Sequence, residues 1–218
     1  MKALFLNIIL LIVAVSATAQ IRPVESLPIA VNYSKTIHLI FPSAVKYSQA
    51  VTDFVAVDNP ENVPHILRIK ANSKSFSKQT TVSVATEGGF FYSFNVSYAD
   101  SLEQTNYFLP GMTSINPDTV FINEVSQTHL IAPEKVIYID YGDTCINVSK
   151  AENTENIIRM IARTGSVQQF PKQTNVSFAT ESGRFFTFNV DYRDKPDAFV
   201  YEVGEKKPEK KANVILTD

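Results

Sequence analysis

Residues 80–98 read TTVSVATEGGFFYSFNVSY, and residues 174–192 read TNVSFATESGRFFTFNVDY. Both stretches alternate with a period of two. In the first, Phe90, Tyr92, Phe94, Val96 and Tyr98 share one face, against Phe91, Ser93, Asn95 and Ser97; in the second, Phe186, Phe188, Val190 and Tyr192 oppose Thr187, Asn189 and Asp191. One apolar and one polar face at that period describe a half-buried strand. Just upstream, Val82 and Val84, or Val176 and Phe178, alternate with Thr, Ser, Asn and Ala. The joints Thr86-Glu87-Gly88-Gly89 and Thr180-Glu181-Ser182-Gly183 are turn chemistry, with a Gly available for positive φ. Each stretch is therefore expected to be a β-hairpin.

The echo continues outward in the same order. HLIFPSAVKY (38–47) matches HLIAPEKVIY (129–138), and HILRIKA (65–71) matches NIIRMIA (156–162), at a register of about 91 residues early and about 94 later. A register held over roughly sixty residues marks duplication of a folding unit. The earlier blocks also read as strands. Ile37, Leu39 and Phe41 alternate with Thr36 and His38 until Pro42, whose counterpart is Pro133. Further runs follow at 45–47 and 136–139, then at Leu67-Ile69-Ala71 and Ile158-Met160-Ala162. No stretch holds helical periodicity beyond two turns, 152–161 being the nearest. The expectation is an all-β chain with two tandem copies of a small β-sandwich or barrel-like domain. The copies span 20–100 and 119–195, with a linker at 101–118. The apolar Thr119-Val120-Phe121-Ile122 would open the second copy as 27–31 open the first. Residues 196–218 read as a charged tail, rich in Lys and Glu around Pro208.

The N-terminus has the form of a secretory signal peptide over 1–19. Lys2 is followed by an apolar run at 4–15, too short to span a bilayer, and Ala17-Thr18-Ala19 forms a cleavage site before Gln20. Export to the periplasm is expected, with no membrane span in the mature chain. Cys145 is the only cysteine, so no intrachain disulfide can form and each core must carry its own domain. The net charge is −2 with scattered Lys and Arg, which argues against direct nucleic-acid binding.

Few residues invite a chemical reading. His38 and His129 hold equivalent positions, and a repeated imidazole more simply marks a fold position, such as a sheet edge, than a shared metal site. His65 has no echo, since Asn156 replaces it. Cys145 lacks an activating partner in any recognisable setting. Asp140 and Asp143 flank a turn, where carboxylates usually accept from local backbone N–H groups, and the loop offers too few oxygens for calcium. No catalytic, cofactor-binding or metal-binding residue is assigned, no cofactor is expected, and the chain is not expected to be an enzyme. Phe91 and Phe185 open the otherwise polar strand face in both copies. They either cover the loop beneath or reach a partner.

The segment Lys35-Thr36-Ile37-His38-Leu39-Ile40-Phe41-Pro42-Ser43-Ala44-Val45-Lys46-Tyr47 resembles the opening of TraN-like conjugative-transposon proteins of Bacteroides-type bacteria. The likeness continues through Leu67-Arg68-Ile69-Lys70-Ala71 and residues 88–98, covering about 31–100. In the second copy, Ile139-Asp140-Tyr141-Gly142-Asp143, Thr174-Asn175 and 183–188 are similar to the N-terminal β-domain of TrbG/CagX-like outer-membrane-core subunits of type IV secretion systems. The resemblance implies a non-enzymatic periplasmic scaffold subunit of a conjugative DNA-transfer apparatus. Such a subunit would oligomerise through sheet edges and connecting segments with other subunits of the apparatus, in association with an outer-membrane complex. Those families usually carry a further C-terminal β-domain, so the resemblance implies a truncated or specialised form. The alternative is an exported β-sandwich module that binds a glycan or surface ligand. Trp, the usual platform for sugars, is absent.

Overall fold

The computed structural model describes residues 24–165, 170 and 173–204. The expected signal peptide lies outside these residues, as does the tail from 205 onward. The described residues form strands and no helix. The first repeat contains β1 (Ser26–Val31), β2 (Ile37–Ile40), β3 (Val45–Ala50), β4 (Val55–Asp58), β5 (Ile66–Ala71), β6 (Thr80–Thr86), β7 (Phe91–Tyr98) and β8 (Asn106–Phe108). The second contains β9 (Thr119–Ile122), β10 (Thr128–Ile131), β11 (Val136–Tyr141), β12 (Ile146–Lys150), β13 (Ile157–Ala162), β14 (Thr174–Thr180), β15 (Phe185–Tyr192) and β16 (Val200–Glu202).

Strand order is the same in both. One sheet runs β1-β7-β6-β3 and the other β4-β5-β2-β8; in the second repeat they are β9-β15-β14-β11 and β12-β13-β10-β16. Each repeat is thus a sandwich of two four-stranded sheets. The quoted stretches are the hairpins β6–β7 and β14–β15. Gly89 (φ 79°) and Gly183 (φ 82°) sit at the third position of the two four-residue loops, in the left-handed region that glycine enters without a steric penalty. Even the irregularities repeat: the pairing of β3 with β6 slips between Val45 and Tyr47, and that of β11 with β14 between Val136 and Tyr138.

Strands β8 and β16 fall in 101–118 and 196–218, the stretches that the sequence reads as linker and tail. Each is three residues long and pairs in parallel, β8 with β2 and β16 with β10. A strand that short, with no hairpin partner next to it, leaves no periodic trace.

The inward residues of each sandwich make its core. Val31, Leu39, Leu67, Ile69, Val82, Val84, Phe94 and Val96 belong to the first, and Ile122, Leu130, Ile146, Ile158, Met160, Val176, Phe178 and Val190 to the second. The outward faces differ between copies. In β6 buried residues alternate with half-buried ones, whereas all seven residues of its counterpart β14 are buried. All four residues of β2 are buried, while its counterpart β10 alternates. The reason is that the β4-β5-β2-β8 sheet of the first repeat packs against the β11-β14-β15-β9 sheet of the second. A third apolar cluster lies between them, of Ile40, Val63, Ile66, Tyr138 and Ala179, with Phe108, Ile137 and Phe185 against it. The four sheets form one stack.

Because the middle sheets are covered on both sides, the repeats should unfold together. Phe178 is fully buried in β14, and Phe178→Ala should cost about 3–5 kcal/mol. Urea denaturation followed by far-UV circular dichroism should show one transition moved to lower urea; two separate steps would contradict the shared stack.

Candidate functional site: the face between the repeats

The period-two alternation that sends Leu39, Leu67 and Ile69 into the core turns His38, Ile40, Arg68 and Lys70 outward, onto the second repeat. Facing them are Tyr138 and Asp140 from β11, Asn175, Ser177 and Ala179 from β14, and Phe185, Thr187 and Asn189 from β15. Among the described residues, this surface holds the buried polar side chains of Lys35, Thr36, His38, Thr174, Asn175, Ser177 and Asn189.

At its centre, His38 is fully buried between two aromatic groups. Its Nε2 lies 3.1 Å from the Tyr138 hydroxyl, and its ring centroid is 5.0 Å from that of Phe185. Arg68 reaches across from β5 and donates from Nη1 to Asp140 Oδ1 at 2.7 Å, while Nη2 binds Asp58 of its own repeat. Lys70 donates to the backbone carbonyl of Gly142. Toward the start of β2, Asn175 holds Thr36 with both ends of its amide: Oδ1 accepts from the Thr36 N–H at 3.0 Å, and Nδ2 donates to the Thr36 carbonyl at 3.0 Å. Thr174 donates to the Ser34 carbonyl at 2.7 Å. The Lys35 ammonium donates to the Leu102 carbonyl (3.0 Å), Gln173 Oε1 (2.7 Å) and Asn189 Oδ1 (2.8 Å), using all three of its donors. Gly142 has no room for a side chain, since a Cβ would stand 2.4 Å from both the Ser34 carbonyl and Asn175 Oδ1.

Burial sets the electrostatics. It pushes the Lys35 ammonium down to about 8, against the opposing pull of Asp191. Lys70 is likewise lowered by burial, with Asp143 and Asp140 opposing. Burial alone would raise the Asp140 carboxyl, but the His38 imidazole and the Arg68 guanidinium beside it hold it below the usual carboxylate value. The Tyr138 hydroxyl is raised by burial and then by the Asp140 charge.

The candidates read from sequence are thereby dispersed. His38 does not cap a sheet edge; β2 is flanked by β5 and β8, and the imidazole serves the contact between repeats. His129 is half-buried on β10, on the opposite side of the second sandwich, so the two histidines do not meet. His65 is half-buried and its carbonyl accepts from the Phe41 N–H at 2.9 Å. Cys145 is buried, and its thiol is pushed up to about 12 by burial and then by the neighbouring Asp143. Asp143 accepts from the local Cys145 N–H at 2.8 Å, as a turn carboxylate does. Asp140 instead bonds Arg68, 72 residues away. Phe185 reaches the other repeat, whereas its counterpart Phe91 remains 51% exposed. Among the described residues, no group of three or more His, Cys, Asp or Glu could hold a metal ion.

Lys35, Asn175 and Gly142 lie within the stretches that carry the family resemblance, but no chemical role is read for them from the sequence. Their signal lies in where the two copies differ. Gly142 stands where the first repeat has Val51, and the pairing shows the equivalence: the Gly142 N–H donates to Asn175, the Val51 N–H to Thr81. Asn175 replaces Thr81 and Asp140 replaces Gln49. Lys35 corresponds to Ser126, since each backbone N–H is held at 2.8 Å by an Asn side chain, Asn32 or Asn123.

Two outcomes test this surface. Gly142→Ala should loosen the contact between repeats, with protease entering at 101–118 faster than in the parent chain, while Val51→Gly should not. The acid dependence follows from Asp140. With its folded pKa depressed, its contribution to stability is complete above the unfolded value of about 4 and is lost as the pH falls through the folded value. Asp140→Asn should therefore be less stable at neutral pH, by about 2 kcal/mol for a charge-assisted bond. It should also lose less on acidification, as read from urea midpoints across the acid range.

Residues 29–102 and 120–196 match a family described as a domain of unknown function, DUF8473. No curated protein matches the sequence. Among solved structures, the titin Ig tandem domains A164-A165 are 12% identical, with 78% of this chain and 95% of that one covered, at a TM-score of 0.23. An endo-fucoidan hydrolase of glycoside hydrolase family 107 is 7% identical over 78% of this chain and 28% of its own, at 0.25. SGBP-B of the Bacteroides ovatus mixed-linkage glucan utilization locus, in complex with a mixed-linkage heptasaccharide, is 10% identical over 81% of this chain and 46% of its own, at 0.22. At TM-scores this low the likenesses carry no argument about function. The two matched segments cover more than half of the chain, which belongs to the DUF8473 family and carries its domain twice.

Proposed function

We propose that this chain is a non-enzymatic structural subunit of an exported assembly, and that the assembly is a conjugative, type IV secretion-like DNA-transfer apparatus. The observation that carries the first part is the fate of the reactive side chains. His38, Arg68, Asp140 and Lys35 are committed to holding one repeat on the other: His38 Nε2 lies against the Tyr138 hydroxyl, Arg68 donates to Asp140 Oδ1, and the Lys35 ammonium donates to Asn189 Oδ1. Cys145, raised to about 12, is a protonated thiol at neutral pH and a poor nucleophile. Polar groups spent on fixing two sandwiches in one orientation suit a part whose work is to hold a shape. The second part rests on the resemblance of 31–100 to TraN-like proteins. The partners are then other envelope subunits of the apparatus, and DNA is handled elsewhere, in keeping with the net charge of −2.

The test is a pull-down of the tagged chain from crosslinked, detergent-solubilised envelopes of its host, read by mass spectrometry. Recovery of conjugation subunits in a large complex is the expected result. Recovery with surface glycan-handling proteins, or with no envelope partner, would overturn the proposal and favour ligand binding by the exposed aromatic side chains.

A further inference from the structure

We propose that copies of this chain stack head to tail. The outer face of β10 and β13 in one copy would dock on the outer face of β6 and β7 in the next, as the two repeats dock within the chain. Duplication gives each repeat both halves of the contact. Within the chain, the β2–β5 face of the first repeat meets the β14–β15 face of the second. The β6–β7 face of the first and the β10–β13 face of the second are left without a counterpart among the described residues.

Both uncovered faces keep the residues that make the covered contact. Tyr47 stands at the Tyr138 position, Ala85 at that of Ala179 and Phe91 at that of Phe185. On the other side, His129 stands for His38, Ile131 for Ile40, Ile157 for Ile66 and Arg159 for Arg68. Their exposure differs as a lost partner predicts: Tyr138 is 8% exposed and Tyr47 is 46%. An aromatic residue kept on the outward face of the sandwich in both copies, when only one copy buries it inside the chain, indicates that the other is used outside it. Val200 lies beside His129 and is 57% exposed, which extends the apolar surface.

The ends of the contact differ in a connected way. The charged and amide clamps are gone, with Gln49 for Asp140, Thr81 for Asn175, Ser126 for Lys35 and Ser149 for Asp58. Docking would set the neutral Gln49 opposite Arg159, whose guanidinium donates to Ser149 Oγ at 2.8 Å and lies 3.9 Å from Glu152 of its own repeat. Where Gly142 abuts the Ser34 carbonyl, the uncovered faces carry Val51, 70% exposed, and Val125, 86% exposed. Val125 holds the Ser34 position, each N–H lying 3.1 Å from its Asn side chain. Two exposed valines at matching positions form an apolar pair in place of the clamp. Their bulk holds the faces further apart there than Gly142 does, so successive chains tilt relative to the repeats within a chain. A contact between two different faces does not close on itself in a dimer. It continues into a filament, or into a ring if the tilt closes.

The proposal deepens the structural-subunit reading by naming a partner, and it is tested on the purified full chain without envelopes. Sedimentation velocity over a concentration series should show the average mass rising above one chain. Tyr47→Glu with Phe91→Glu disables one face, and Ile157→Glu disables the other. If Ile157→Glu does not fold, Val200→Glu serves on the same face. Each variant alone should stay at one-chain mass with an unchanged circular dichroism spectrum, and an equimolar mixture should give a two-chain species and nothing larger. A parent chain that remains single throughout, a variant that still associates alone, or a mixture that stays single would each overturn head-to-tail docking. A chain that is single in solution yet recovers envelope subunits would sink this inference and leave the structural-subunit reading standing.

Discussion

The arrangement of the whole chain depends on two sheets meeting face to face with polar side chains between them. All residues of β2 and β14 are buried, which makes hydrogen-bond partners from protein valuable to the polar atoms there, although His38 Nδ1 has none. The Asn175 amide meets this need most economically. It gives Thr36 one donor and one acceptor, which is what a neighbouring strand would have supplied. Lys35 does the same with its three N–H groups. Apolar contacts such as Tyr138 on Ile40 and Ile66 would tolerate sliding, whereas the Asn175, Lys35 and Arg68 bonds admit one registration. The apolar centre supplies the drive to associate, and the polar rim sets the angle.

Much of this was legible in the sequence. The two hairpins, the inward residues of β7 and β15 and the duplication all follow from period-two alternation and a fixed register, because a core face must repeat its apolar residues to be buried at all. The pairing of β8 with β2 was not legible. Three residues paired in parallel to a strand some seventy positions earlier have no local signature. The role of Asp140 was hidden for a similar reason, since nothing near it in sequence points to Arg68. His38 shows the limit of reading repeats by likeness: its identity with His129 suggested a common role, yet one lies in the stack and the other on its outer surface.

The comparison of the copies works better when turned around. Once the fold is known, shared residues report the sandwich and the differences report the contact. Gly142 against Val51 is the clearest case, because only a residue without a side chain lets the Ser34 carbonyl approach. Asn175 against Thr81 and Lys35 against Ser126 follow the same logic. After duplication the two copies met different surroundings, and substitution was free to adapt each to its own.

The segment between the repeats has a further consequence. It is pinned near its start, where Phe108 and Thr113 exchange backbone hydrogen bonds and the Asn106 side chain holds both the N–H and the carbonyl of Ile115. Strand β9 begins only four residues later, at Thr119. So short and anchored a tether keeps the two halves at a local concentration of about millimolar or above. The contact between the repeats is then closed within one polypeptide rather than by an encounter of two molecules. Carrying the domain twice in one chain thus makes the joint between two sandwiches a matter of chain connection, independent of protein concentration.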